Sequence, residues 1–190
     1  MFSKTEVKRV LRFMSGENGA GQETRMSVDV AHKRWWQIFE VVFGIPFLAA
    51  IALQLSVPLS FPSGILRPLI ILGGIGLIIL GAALVVLARQ EFAQHGQPTD
   101  PGHPTSMVVT TGVFSISRNP LYLGGVCLLI GIALAFNLPW VLVLLLPALI
   151  ACHYVLILPE EKYLRAKFGQ EYRRYADSVH RWIGRARQVK

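Results

Sequence analysis

The chain has 190 residues, 53% of them hydrophobic, with a formal net charge of +8 and a mean hydropathy of +0.47. That balance excludes an ordinary soluble domain and points to a membrane protein built as one compact unit. The basic excess comes with no nucleic-acid recognition fold, so nucleic acid is not an expected partner.

The N-terminal stretch has no continuous apolar run, so no cleavable signal peptide is expected. Phe2, Val7, Val10, Leu11 and Met14 fall on one helical face, with Lys4, Lys8, Arg9 and Arg12 around it. Two readings stand: a basic amphipathic helix on an anionic membrane surface, or a disordered basic tail. In either case Ser15–Gln22 reads as a flexible linker, and residues 1–37 form one region.

Four apolar segments follow: Ile38–Leu59, Ile65–Ala88, Leu121–Phe136 and Leu138–Leu158. A bilayer span needs about 20 mostly apolar residues. The third segment reaches that only if its helix starts at Pro120 and its ends lie near the interface. Only Asn137, Leu138 and Pro139 separate the third from the fourth, which predicts an antiparallel hairpin. The expected architecture is an all-α integral membrane bundle of about four transmembrane helices, with cytosolic amphipathic helices at both termini. Residues 38–88 hold the first two spans, and 89–190 hold a cytosolic loop, the hairpin and C-terminal interfacial helices.

Seven Lys and Arg residues precede the first span, from Lys4 to Arg34, and nine follow the fourth, from Lys162 to Lys190. The hairpin turn has none. The positive-inside rule therefore puts both termini and the 89–120 connection on the cytoplasmic side.

Several features read as structural. Cys127 and Cys152 lie inside spans and form no CxxC pair. "GGIGLIILG", residues 73–81, sits within a span, so its glycines suit close helix packing rather than a dinucleotide loop. Pro46 and Pro147 are expected to kink their helices. His95, Asp100 and His103 lack metal-ligand spacing, and no metal is expected.

The polar signals gather at the cytoplasmic ends. In "GVFSISRNPLYLGG", residues 112–125, Asn119 suits an N-cap and Pro120 the first helical turn. A helix start also offers free N–H groups and partial positive charge to an anionic ligand. Arg118 beside it would strengthen such a site, although Arg118 and Tyr122 also suit the membrane interface. Gly124 and Gly125 allow a ligand or another helix to approach closely.

In "LPEEKYLRAKFGQEYRRY", residues 158–175, Pro159 is expected to begin a new helix. Glu160 and Glu161 would lie in its first turn, with Glu161 four residues before Arg165. After Gly169, the residues Tyr172, Tyr175, Ala176, Val179 and Ile183 fall on one helical face. That predicts an interfacial helix acting as a lid or platform.

Together, "TTGVFSISRNPLYLGG", a short helical hairpin and "LPEEKYLRAKFGQEYRRY" resemble the isoprenylcysteine carboxyl methyltransferase family and the related phospholipid N-methyltransferases. The resemblance covers about residues 90–183. It implies methyl transfer from S-adenosyl-L-methionine to a lipid or lipophilic acceptor (a carboxylate, amine or thiol) in a site open to the cytosol. Asn119, where the eukaryotic members carry histidine, matches the bacterial branch, which implies a bacterial inner membrane. The implied cofactor pocket takes Ser106, Met107, Val108 and Val109 from a strand-like run. It continues through Phe114, Asn119, Pro120 and Tyr122 to Glu160 and Glu161. Arg118 and Glu160 are the implied catalytic residues. Ser106 stands where a histidine is usual, and Leu156 where those enzymes carry a substrate-linked arginine.

Because the sulfonium already activates the methyl group, catalysis rests on alignment and exclusion of water. An amine or thiol acceptor needs a base, and His153, an ionisable group within a span, is the candidate. Two other readings remain at this stage: a membrane reductase using NADPH, and a non-enzymatic membrane scaffold. Neither the methyl acceptor nor the oligomeric state is legible from the sequence.

Overall fold

The structure, a computed structural model, describes residues 39–97 and 105–185. The N-terminal region to residue 37, Asp100 and His103 lie outside the described residues.

The described chain is helical, with no named strand. Helix α1 spans Phe39–Ser56, α2 spans Leu66–Gln94, and α3 spans Pro120–Ala135. Helix α4, Pro139–Ala151, runs through a π-helical turn, Cys152–Ile157, into α5, Leu158–Phe168. Helix α6, Gln170–Ser178, closes the series. Three helical stretches are long and apolar enough to cross a membrane: α1, α2 and the continuous Pro139–Phe168. Helix α3, with 16 residues, is the shorter fourth. Leu48, Leu69, Leu72, Ile79, Leu146 and Ile150 project outward without protein cover. In water such a surface would aggregate; in lipid it is the solvated face. The protein is an all-α integral membrane helix bundle.

Helix α3 starts at Pro120, as expected. Two other boundaries differ. Helix α2 continues past Ala88 to Gln94, about 43 Å in all at 1.5 Å per residue. Its end is a Schellman stop: Gly96 takes φ 61°, Gln97 N–H bonds Phe92 O at 2.8 Å and Gly96 N–H bonds Ala93 O at 3.1 Å. Pro159 does not begin a new helix, because α4 and α5 are continuous through the π turn. There the Leu158 N–H reaches back five residues to His153 O. The wider register accommodates a proline that has no N–H to give.

Glycines set the α2–α3 contact. A Cβ on Gly81 would lie 2.6 Å from Gly124 O, and one on Gly124 would lie 2.8 Å from Gly81 O. Gly74 and Gly131 repeat this seven residues away on each helix, at 2.8 and 2.7 Å. The two antiparallel helices therefore touch backbone to backbone, as small-residue seams allow in lipid. Gly125 instead faces the Phe39 ring of α1.

At one end of the bundle, Asn137 Oδ1 accepts Phe61 N–H at 2.8 Å and Trp140 Nε1 donates to Val57 O at 2.8 Å. The opposite end carries a cap made by residues 105–118, α5 and α6. Its core joins Ala88, Val108, Val109, Phe114, Tyr172, Tyr175 and Val179. Two parts of the cap depart from expectation. Residues 106–109 are irregular rather than strand-like. Helix α6 ends at Ser178, so Val179 lies beyond it and Ile183 is 65% exposed. The tyrosine face of α6 packs on the cap core.

Candidate active site

The polar junction forms where the 3-10 turn Gly112–Ser115 runs into α3. Asn119 holds the N-cap position, but its side chain does not cap the helix. Its Nδ2 donates to Arg181 O at 2.9 Å instead. Pro120 brings no N–H, and the Asn119 side chain makes no cap hydrogen bond to the first turn of α3. The helix start is left able to accept negative charge.

Opposite it, at the start of α5, the two adjacent acids have different surroundings. Glu160 Oε2 accepts the Tyr122 hydroxyl at 3.1 Å, and among the described residues it has no cationic partner. Tyr122 packs against the inter-helix core and lies parallel to Phe39, ring centroids 6.2 Å apart. Glu161 is 4% exposed and faces three arginines. Arg181 forks onto it, Nε to Oε1 at 2.8 Å and Nη2 to Oε2 at 2.9 Å. Arg118 Nη1 lies 3.2 Å from Oε1, and Arg165 Nη2 lies 3.3 Å from Oε2. The Glu161–Arg165 pair follows the i,i+4 spacing of the sequence. The hydrogen bonds that Arg181 donates to Glu161, with the charge of that acid, hold the Arg181 guanidinium above its ordinary pKa. Arg118 Nε is buried and, among the described residues, has no hydrogen-bond partner.

The residues singled out in the sequence fall into three groups. Tyr122 and Glu160 touch, and Arg118 touches Glu161. Val108, Val109 and Phe114 form an apolar wall in the cap core, where Phe114 packs on Phe92 with ring centroids 4.9 Å apart. Burial, then the Tyr172 phenol beside it, pushes the Tyr175 hydroxyl well above its ordinary pKa. That hydroxyl donates to Phe114 O at 2.8 Å. Ser106 and Met107 are exposed. His153 lies on the π turn, edge-on to Tyr154 at 5.0 Å, and makes no hydrogen bond to Tyr122 or Glu160. Leu156 is fully buried in the helix core.

Three residues of this end escaped sequence reasoning. Gln97 is 6% exposed; its Nε2 donates to Ser106 Oγ at 2.7 Å and its Oε1 accepts Ser106 N–H at 2.8 Å. It staples the loop to the end of α2. Ser117 is buried, and its Oγ accepts Asn119 N–H at 3.1 Å. Arg181 forms the fork on Glu161. Its only sequence signal is membership of the basic cluster that follows the fourth span. A separate open cleft of about 860 Å³ between Thr110, Ser115 and α6 contains none of the residues named for the cofactor.

A half-buried acid with no counter-ion among the described residues suits a cationic centre, and a helix start without a side-chain cap, two residues after an arginine whose Nε has no partner among them, suits a carboxylate. Val108, Val109 and Phe114 supply apolar surface within the cap core. The ammonium, carboxylate, sulfonium and aromatic base of an adenosyl cofactor have the same complement of groups, so the residues fit it.

A family model described as phospholipid methyltransferase matches residues 69–171, more than half of the chain. No curated protein and no solved structure matches significantly.

Proposed function

The chain belongs to the phospholipid methyltransferase family, and on that premise we propose that this integral membrane methyltransferase uses S-adenosyl-L-methionine to methylate a lipid-like acceptor. The observation that carries the proposal is Glu160: an acid at the helix edge, bonded to Tyr122 and free of any cation among the described residues.

In this reading Glu160 would face the amino-acid ammonium of the cofactor, and Tyr122 would fix the orientation of the Glu160 carboxylate. The start of α3 and Arg118 Nε take the amino-acid carboxylate. Val108, Val109 and Phe114 wall the adenosyl group. The cofactor supplies a methyl group already activated by positive sulfur. The chain's own contribution is alignment of the acceptor and exclusion of water. An amine or thiol acceptor must lose a proton, and Glu160 and His153 are the bases this end of the bundle offers. The acceptor approaches from the lipid side and the cofactor from the cytosol, with the cap and the C-terminus on the cytoplasmic face of a bacterial inner membrane.

The test is transfer of a labelled methyl group from S-adenosyl-L-methionine to organic-extractable product, using the purified protein in phospholipid vesicles. Label in the lipid fraction, abolished by Glu160→Gln, is the expected result. No transfer to phosphatidylethanolamine, isoprenoid acids or lipophilic thiols would count against the reading.

A further inference from the structure

Arg181 sits on a short hairpin after α6. An antiparallel bridge between Val179 and Arg185 closes it, with His180 N–H bonded to Gly184 O at 2.8 Å. The hairpin docks on the strand of chain leading into α3. Gly184 N–H donates to Ile116 O at 2.8 Å, and Arg118 N–H donates to His180 O at 3.2 Å. It lies beyond the family-matched region, which ends at residue 171.

Arg181 holds the junction by two routes. Its guanidinium forks onto Glu161 at 2.8 and 2.9 Å, the closest of that acid's three cationic contacts. Its carbonyl accepts Asn119 Nδ2 at 2.9 Å. The first route balances Glu161 and leaves Glu160 as the acid without a cation. The second withholds the Asn119 side chain from the first turn of α3, which an N-cap asparagine ordinarily satisfies.

We infer that Arg181 is a positioning residue: it holds Glu161 and Asn119 together, and so keeps the start of α3 open for the cofactor's carboxylate and Glu160 free for its cationic centre. The inference rests on the reading under Proposed function. With the clamp released, the Asn119 side chain competes with the ligand for the same N–H groups.

The test compares two ligands on the full-length protein in detergent by calorimetry. S-adenosylhomocysteine carries the amino-acid carboxylate and ammonium; 5′-methylthioadenosine shares the adenosine and sulfur but lacks both. Wild type is expected to prefer S-adenosylhomocysteine. Arg181→Ala removes the fork on Glu161 but keeps the carbonyl that takes Asn119 Nδ2, so it acts by loosening the hairpin that carries this carbonyl; it is expected to weaken that ligand about tenfold while changing methylthioadenosine less than about twofold, the scale of a cap or dipole contribution. Arg181→Lys should restore part of the loss, since it keeps the charge without the fork. Asn119→Asp cannot donate to the Arg181 carbonyl and brings its own cap. It should show the same selective loss, and it stands in if Arg181→Ala does not fold. Equal weakening of both ligands, or an unchanged preference in these variants, would overturn the inference. Wild-type protein that binds neither ligand would remove the proposed function, and this inference with it.

Discussion

Glu160 and Glu161 are neighbours in sequence with opposite partners: Glu161 is enclosed by Arg118, Arg165 and Arg181, while Glu160, among the described residues, receives only the Tyr122 hydroxyl. One acid therefore holds the cap together, and the other is the one the proposed function assigns to a ligand. Adjacent helical positions point about 100° apart, which is how a single acid pair serves both purposes.

This division predicts different phenotypes for two isosteric changes. Glu161→Gln leaves three arginines without their counter-charge and should lower stability by roughly 3 kcal/mol, the scale for breaking a buried pair. Glu160→Gln removes no ion pair and should leave the melting temperature nearly unchanged. Thermal unfolding in detergent distinguishes them, and equal destabilisation would contradict the assignment.

The α2–α3 seam predicts a position-specific glycine effect. Gly81→Ala pushes a methyl into Gly124 O at 2.6 Å and should cost about 1–3 kcal/mol by overpacking. Gly76 lies on the same helix with nothing within 4 Å of its would-be Cβ. Gly76→Ala should be neutral or stabilising by up to about 1 kcal/mol. Similar melting temperatures for the two variants would show that the helices do not touch here.

Tyr175 predicts an alkaline instability. Its hydroxyl is buried, bonded to Phe114 O and held well above the ordinary value near 10. The folded protein therefore keeps this proton at a pH where the unfolded chain has lost it. The stabilisation is complete below about pH 10 and declines as pH rises toward the higher folded value. Tyr172, also raised chiefly by burial, adds to the same slope. Tyr175→Phe should cost about 1 kcal/mol at neutral pH and flatten the loss above pH 10. Denaturant melts from pH 8 to pH 11 would show it, and an unchanged slope would count against the buried bond.

Much of this was legible because lipid makes simple demands. Long apolar runs predict spans, and paired small residues predict close helices. The α3 start followed from Pro120, and the meeting of Tyr122 with Glu160 from the joint motif. What was not legible depends on distant partners. Asn119 suits an N-cap by every local criterion, yet a hairpin some sixty residues away takes its side chain. Pro159 reads as a helix start, but a π turn carries the helix through it. Val179 continues the tyrosine periodicity of α6, yet it pairs with Arg185 outside the helix. Gln97 and Arg181 carry no local motif, because their function is to join segments that only the fold brings together.

The most direct measurement is calorimetric binding of S-adenosylhomocysteine to the detergent-purified protein, with Glu160→Gln and NADPH as controls. The account predicts micromolar binding by wild type, loss of that binding in Glu160→Gln, and no binding of NADPH. Folded wild-type protein that binds NADPH instead, or binds the adenosyl ligand equally well without the Glu160 carboxylate, would contradict it.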